Sequence, residues 1–283
     1  MHRLLPFLFL LLSACGAAPD AGRDAGGALR VVVSVLPLKY IAERVGGDHV
    51  QVRTLVQPGQ SPATYDPTPR QMAAVAEADV YVRVGVPFER AWLERIRAAN
   101  PHLRIVDARE GLDLLPAPAG GEAPDPHVWT DPLRVKRIAF HLRDVFSALD
   151  PPHAADYRAN AARLAAELDA LDAEIRQRLA GLKARRFLVF HPAWGYFAAR
   201  YGLQQIAVQR EGKSPGAHHL GELIAQARRL GIRTVFVQRE FSRRDAEAVA
   251  RAIGGRVVAL DPLAYDLIDN LRRVAAALAE GAA

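Results

Sequence analysis

Three polar residues in this sequence have the side-chain types and positions that could bind a metal. His191 and Asp261 each come directly after an apolar run typical of a buried strand, and His127 lies in the proline-rich loop 124–132. In an open parallel sheet, ligands bind at the carboxyl ends of the strands. Two imidazoles and a carboxylate are suitable ligands for zinc and other first-row divalent metals. His127, His191 and Asp261 are therefore candidate metal ligands.

The composition excludes several other kinds of chemistry. The chain has 283 residues, half of them hydrophobic, which is enough for a sizeable core. Its single cysteine, Cys15, rules out an internal disulfide, a cysteine zinc site and thiol catalysis in the folded body. The net charge of +6 is not concentrated in a basic run interleaved with aromatic residues, so no nucleic-acid partner is expected.

The first residues have the features of a secretory leader. Arg3 precedes an apolar stretch over 4–12, which is shorter than the roughly 20 residues that a membrane-spanning helix needs. The ending Leu12-Ser13-Ala14-Cys15 resembles a lipobox, in which cleavage leaves the cysteine to be acylated. We therefore predict a signal peptide over 1–14, lipidation at Cys15, a flexible tether over 15–28 and a protein that works outside the cytoplasm. An ordinary cleaved signal with a chance cysteine is the alternative.

From Leu29 onward, short β-branched runs alternate with helical patterns. The predicted strands are 30–35, 50–56, 80–84 and 103–106 in the first half and 187–190, 205–208, 234–237 and 257–260 in the second. The predicted helices between them are 40–45, 71–77, 88–99, 217–230 and 243–253. This alternation is typical of mainly parallel sheets. It predicts an N-terminal α/β lobe over 29–150 and a C-terminal α/β lobe over 183–283.

A long amphipathic pattern separates the two predicted lobes. Its apolar positions recur every three or four residues, at Tyr157, Ala161, Leu164, Leu168, Leu171, Ile175, Leu179 and Leu182. Asp150 can cap such a helix, and Pro151 suits its first turn. We predict one linker helix over 151–182, about 45 Å long at 1.5 Å per residue, that runs along both lobes and disfavours wide hinge motion. A coiled-coil dimer is the alternative.

Several ordered motifs resemble one known family over essentially the whole mature length. They are VQPGQSPATYDPTP at 56–69, DPHVWTDP at 125–132, FHPAWGYF at 190–197, EGKSP at 211–215 and LDPL at 260–263. The chain is similar to the zinc and manganese substrate-binding proteins of bacterial ABC transporters, the ZnuA/TroA-like family. The resemblance implies two Rossmann-like lobes, one long helix and a single divalent metal, Zn²⁺ or Mn²⁺, in the cleft. By position it assigns His127, His191 and Asp261 as its ligands.

The chain departs from the family pattern at Ala63. The family usually has a histidine here, and a methyl group cannot bind a metal. Three protein ligands leave one coordination position open for water or substrate. Gln60, Tyr65 or Asp66 on the same loop, or Glu211 or Gln238 from the second lobe, are possible replacements. The stretch 115–122 also lacks the histidine-rich loop of many zinc-specific members, which weakens the case for zinc over manganese.

Together these observations predict a monomeric lipoprotein of the periplasm or cell surface that hands zinc or manganese to the permease of an ABC importer. A zinc-dependent hydrolase is one alternative, because an open position on zinc also suits hydrolysis. It is disfavoured by the lack of a helical His-Glu-x-x-His motif and by ligands dispersed over both lobes. A metallochaperone, or a protein that binds a metal chelate, is the other alternative.

Overall fold

The computed structural model describes residues 27–117, 123–209 and 216–281. The predicted leader, Cys15, most of the tether and Glu211 lie outside the described residues. Each lobe contains a four-stranded sheet in which all strand pairs are parallel. The predicted fold class, two α/β lobes with a long helix between them, is confirmed.

The two sheets have the same strand order. The strands are β1 Leu29–Val33, β2 Val50–Thr54, β3 Val80–Arg83, β4 Arg104–Asp107, β5 Arg186–Val189, β6 Gln204–Ala207, β7 Thr234–Val237 and β8 Arg256–Ala259. Their spatial order is β2-β1-β3-β4 in the first lobe and β6-β5-β7-β8 in the second. In such an order the ligand crevice forms where the chain changes direction across the sheet. The carboxyl ends of β1 and β3, and of β5 and β7, are therefore the expected positions for a site.

Helices cover the sheets and connect the lobes. They are α1 Leu36–Gly46, α2 Pro69–Ala76, α3 Pro87–Ala99, α4 Pro132–Leu149, α5 Ala154–Leu179, α6 Gly195–Tyr201, α7 Ala217–Arg229, α8 Arg243–Ala252 and α9 Leu267–Gly281. Local sequence sets several of their starts. Asp131, for example, accepts a hydrogen bond from the backbone N–H of Leu133 and so caps α4, whose first residue is proline. Of the described helices, none combines the length and the hydropathy that crossing a membrane requires.

The linker helix α5 is attached to both lobes. It follows a short 3₁₀ turn at Pro151–His153 and has 26 residues, which corresponds to about 39 Å. Asn160 Nδ2 donates to the carbonyl oxygen of Val45 in the first lobe (3.1 Å), and Arg200 of the second lobe is 2.6 Å from Asp172. The predicted apolar stripe from Tyr157 to Leu179 is buried against this same chain. That stripe is therefore not available for a coiled coil.

Candidate metal centre

A cavity of about 160 Å³ lies between the lobes and contains both candidate histidines. His191 follows β5 of the second lobe, and His127 comes from the loop that leads into α4. The centroids of their rings are 5.4 Å apart, with an angle of 72° between the ring planes. The cavity is otherwise lined by Ser61, Pro62, Ala63, Val86, Pro87, Pro126, Trp129, Pro192, Gln238, Glu240, Phe241, Pro262 and Leu263. The structure thus brings together two of the three residues predicted as ligands.

A buried carboxylate orients His127. The Oδ1 atom of Asp125 accepts a hydrogen bond from the backbone N–H of His127 (3.0 Å) and is 2.6 Å from its ring atom Nδ1. Asp125 is only 2% exposed. Because a carboxylate can only accept this hydrogen bond, Nδ1 carries a proton, and Nε2 is the ring nitrogen left to bind a metal. A carboxylate hydrogen-bonded to the far nitrogen of the ring typically orients a metal-binding histidine.

Two glutamines hold His191. The ring atom Nδ1 is 3.2 Å from Oε1 of the buried Gln209, which leaves Nε2 available to a ligand. Gln238, which follows β7, donates from Nε2 to the carbonyl oxygen of His191 (2.9 Å) and accepts from its N–H (3.3 Å). Burial and the neighbouring His127 lower the pKa of His191 from 6.5 to about 4. At neutral pH this imidazole is therefore uncharged, as metal binding requires.

Aromatic rings restrict the two imidazoles further. Trp129 lies edge-on to His127, with ring centroids 5.3 Å apart. Phe241 stacks on His191, with centroids 5.0 Å apart and an interplanar angle of 24°. Both rings sit on the loops that carry or contact the histidines, so they limit rotation of the imidazoles as well as access of water to the cavity.

Asp261 lies beside this cavity rather than in its wall. Its Oδ1 atom accepts a hydrogen bond from the backbone N–H of Leu263 (2.9 Å), and its Oδ2 atom is 3.9 Å from Nε of Arg239. It lines a neighbouring cavity that also includes Glu240. Over the described ranges, no group of three or more His, Cys, Asp or Glu side chains stands close enough together to hold an ion. The role of Asp261 as a third ligand therefore remains a prediction.

The loop after β2 brings Ala63 to the cavity wall, where the expected histidine would stand. The suggested replacements on this loop have other partners. Gln60 accepts from the N–H of Gln57 (3.0 Å), Tyr65 donates to the carbonyl of Leu55 (2.6 Å), and Asp66 accepts from Nε1 of Trp92 (2.8 Å). None of the three lines the cavity. Gln238 does line it, although its amide group is engaged with the backbone of His191.

Asp125, Gln209 and Glu240 also belong to the site, although they were not predicted as site residues from the sequence. Asp125 is two residues before His127, so a search for a carboxylate near a candidate ligand would have found it. Glu240 lines the cavity from the loop between β7 and α8. Burial and the nearby Asp261 carboxylate raise the pKa of Glu240 above its usual value. No sequence pattern marks Glu240, because its proximity to the histidines depends on the pairing of β5 with β7.

Comparison with known proteins identifies the family of this chain. The profile of the ZnuA family, described as zinc-uptake complex component A, periplasmic, matches residues 31–281. The zinc uptake system protein ZnuA of Bacillus subtilis is 26% identical over 273 residues, which cover 90% of this chain and 85% of that protein. The zinc-binding lipoprotein AdcA of Streptococcus pneumoniae is 27% identical over 90% of this chain, which spans only 54% of AdcA.

Solved structures show the same relationship. A crystal structure of a ZnuA deletion mutant with zinc bound superimposes with a TM-score of 0.87 and 41% identity, over 90% of this chain and 98% of that one. These matches confirm the family resemblance drawn from the motifs and the expectation of Zn²⁺ as the metal. The chain belongs to the ZnuA family of periplasmic zinc-uptake components.

Proposed function

We propose that this protein captures one Zn²⁺ ion between its lobes and delivers it to the permease of an ABC importer. The observation that carries this proposal is the pair formed by His127 and His191, which come from different lobes and line one cavity. Each ring has its Nδ1 atom engaged by a buried side chain, so both offer Nε2. His127, His191 and Asp261 are the proposed ligands.

The spacing of the imidazoles suits zinc. Two imidazoles bound to a tetrahedral zinc, with Zn–N distances of about 2.0–2.1 Å, have ring centroids about 5 Å apart. The separation between His127 and His191 is 5.4 Å. Little movement of either ring is thus needed, while the carboxylate of Asp261 has to turn from Arg239 toward the metal. Nitrogen ligands also favour zinc over manganese, since zinc lies higher in the Irving–Williams order. Manganese remains the alternative metal.

Release of a captured ion to a membrane partner fits a binding protein better than an enzyme. The attachment of α5 to both lobes favours small loop movements over wide closure. A lipid on Cys15 would keep the protein at the membrane surface, near the permease. We propose a monomer that binds no nucleic acid, held at the periplasmic or outer surface by this anchor.

Zinc titration of the purified mature chain tests the proposal. After removal of metal, the protein is titrated against a chelator of known zinc affinity. We expect about one zinc per chain and weaker binding of manganese. His127→Ala and His191→Ala should each weaken zinc binding at least about tenfold, or about 1.4 kcal/mol.

The matched control is His102→Ala. His102 lies on an exposed turn between α3 and β4, where its backbone N–H donates to Asn100. The control should bind zinc as the wild type does. If the two cavity variants bind zinc as tightly as the control, the proposed site is wrong.

A further inference from the structure

Two residues close to Glu240 in the sequence, Gln238 and Phe241, both contact His191. Gln238 holds the backbone of His191 through two hydrogen bonds, and Phe241 stacks on its ring. The Glu240 side chain lines the cavity that contains the two histidines. It also lines the neighbouring cavity that contains Asp261. Glu240 therefore stands between the histidine pair and the third predicted ligand.

Glu240 does not directly follow a strand, yet it lines the cavity that contains the histidines. The order of the strands explains this position. β7 is hydrogen-bonded to β5, whereas β8, which precedes Asp261, is separated from β5 by β7. Neighbouring strands are about 4.8 Å apart, so the end of β8 is about 10 Å from the end of β5. A residue that follows β7 is at the switch point of this sheet, beside His191.

The Glu240 side chain is also chemically available. Among the described residues, the hydrogen bond to its carboxylate comes from its own backbone N–H, and no other side chain donates to it. Arg239 is the cation that acts on the Glu240 carboxylate. It lies 3.9 Å from Asp261, and its side chain is 75% exposed, so solvent weakens its effect. Two carboxylates near one another in a partly dehydrated crevice repel, and a dication between them would remove that repulsion.

Among the described residues of the first lobe, no histidine or carboxylate on the loop after β2 lines the cavity. Ala63 presents a methyl group to the cavity, and Gln60, Tyr65 and Asp66 are engaged elsewhere. We propose that Glu240 turns into the cavity as a zinc ligand and replaces the side chain missing at Ala63, so that the second lobe supplies His191, Glu240 and Asp261 around His127. This inference rests on the proposed zinc function and specifies the ligand set of the same site.

A double-mutant cycle tests this ligand. Zinc affinity is measured by chelator competition for the wild type, Glu240→Gln, Ala63→His and the double variant. We expect Glu240→Gln to weaken zinc binding at least about tenfold, since a neutral amide is a poor zinc ligand. Ala63→His should change wild-type affinity by less than about threefold, because the position is already filled. In the Glu240→Gln background, the same histidine should tighten zinc binding at least about tenfold. Such non-additive effects indicate that the two side chains fill one shared role.

The matched control is Glu247→Gln on α8, which removes a carboxylate that pairs with Arg243 away from the cavity. It should bind zinc normally. X-ray absorption at the zinc edge is a further measurement that needs no variant. For the wild type we expect two imidazole ligands and two ligands that bind zinc through oxygen.

Three results would overturn the inference. The first is a Glu240→Gln variant that binds zinc as tightly as the wild type. The second is a gain of about tenfold or more in zinc affinity from Ala63→His alone. The third is a zinc ion bound by three imidazoles. In each of these cases the wild type still binds zinc, so the proposed function stands. Failure of the wild type to bind zinc at all would remove both proposals.

Discussion

The indole Nε1 of Trp129 donates a hydrogen bond to the carbonyl oxygen of Pro262, with a distance of 2.7 Å. Trp129 is two residues after His127, and Pro262 directly follows Asp261. The bond is buried, with Trp129 only 2% exposed. It therefore couples the position of the first-lobe loop that carries His127 to that of the second-lobe loop that carries Asp261, both of them proposed ligands.

We expect Trp129→Phe to weaken zinc binding about threefold to tenfold and to lower the free energy of unfolding by about 1–3 kcal/mol. The aromatic packing remains, but the buried carbonyl of Pro262 loses its donor. Chelator competition and denaturant unfolding measure the two effects. Trp92→Phe is the matched control, because Trp92 donates to Asp66 near the surface. Equal zinc affinities for both variants would contradict the proposed coupling.

Asp125→Asn tests the orientation of His127. The carboxylate accepts from both the ring and the backbone of His127, and an amide oxygen accepts more weakly. Loss of a hydrogen-bond partner that orients a metal-binding histidine typically costs about 10–100-fold in metal affinity, and we expect an effect in this range. The exposed pair of Arg143 and Asp144 offers the control Asp144→Asn. An Asp125→Asn protein with unaltered zinc affinity would show that His127 needs no such support.

The pKa of His191 predicts how the stability of the metal-free protein depends on pH. Burial, followed by the effect of His127, lowers this pKa to about 4 in the folded chain. Between about pH 6.5 and 4 the unfolded chain binds a proton that folded His191 does not. The free energy of unfolding should therefore fall as the pH falls through this window, by up to about 3 kcal/mol.

Denaturant unfolding at several pH values, in the wild type and in His191→Gln, measures this contribution. The variant should lose less stability between about pH 6.5 and 4, since it lacks the titrating ring. Parallel pH profiles for the two metal-free proteins would mean that His191 is not held in its neutral form by the fold.

The predicted anchor is tested at Cys15. Cys15→Ser should abolish incorporation of a labelled fatty acid and release the protein from the membrane or leave the precursor uncleaved. The folded body should still bind zinc, because the cysteine lies well before Leu29, where β1 begins. A wild-type protein without lipid, recovered free in solution, would contradict the lipoprotein prediction.

The alternation of strands and helices was predictable from sequence because β-branched runs and amphipathic stretches differ in period. Each predicted strand has its counterpart within one or two residues of its start or end, as β3 illustrates at Val80–Arg83. Helices α4, α6 and α9 were not predicted, although Asp131 followed by Pro132 is a start signal for α4. The predicted linker began at 151, whereas the structure has a 3₁₀ turn before Ala154.

The site was predictable only in part. The strand-end rule selects His191 correctly as a cavity residue, and the motif around His127 selects its partner. The same rule treats Asp261 as equivalent to His191. However, β8, which precedes Asp261, is at the edge of the sheet, and its carboxyl end is one strand further from His191 than that of β7. Gln209 and Glu240 belong to residue types that are common on protein surfaces. Only strand order and register bring them to His191, and no local spacing encodes that order.

Anomalous diffraction at the zinc edge, from crystals of the protein grown with one equivalent of zinc, tests the central claim most directly. We expect a single strong peak between the lobes, about 2.0–2.1 Å from Nε2 of both His127 and His191. A strong peak at another position, such as the stacked pair of His49 and His153 beside α5, with no density between His127 and His191, would contradict it.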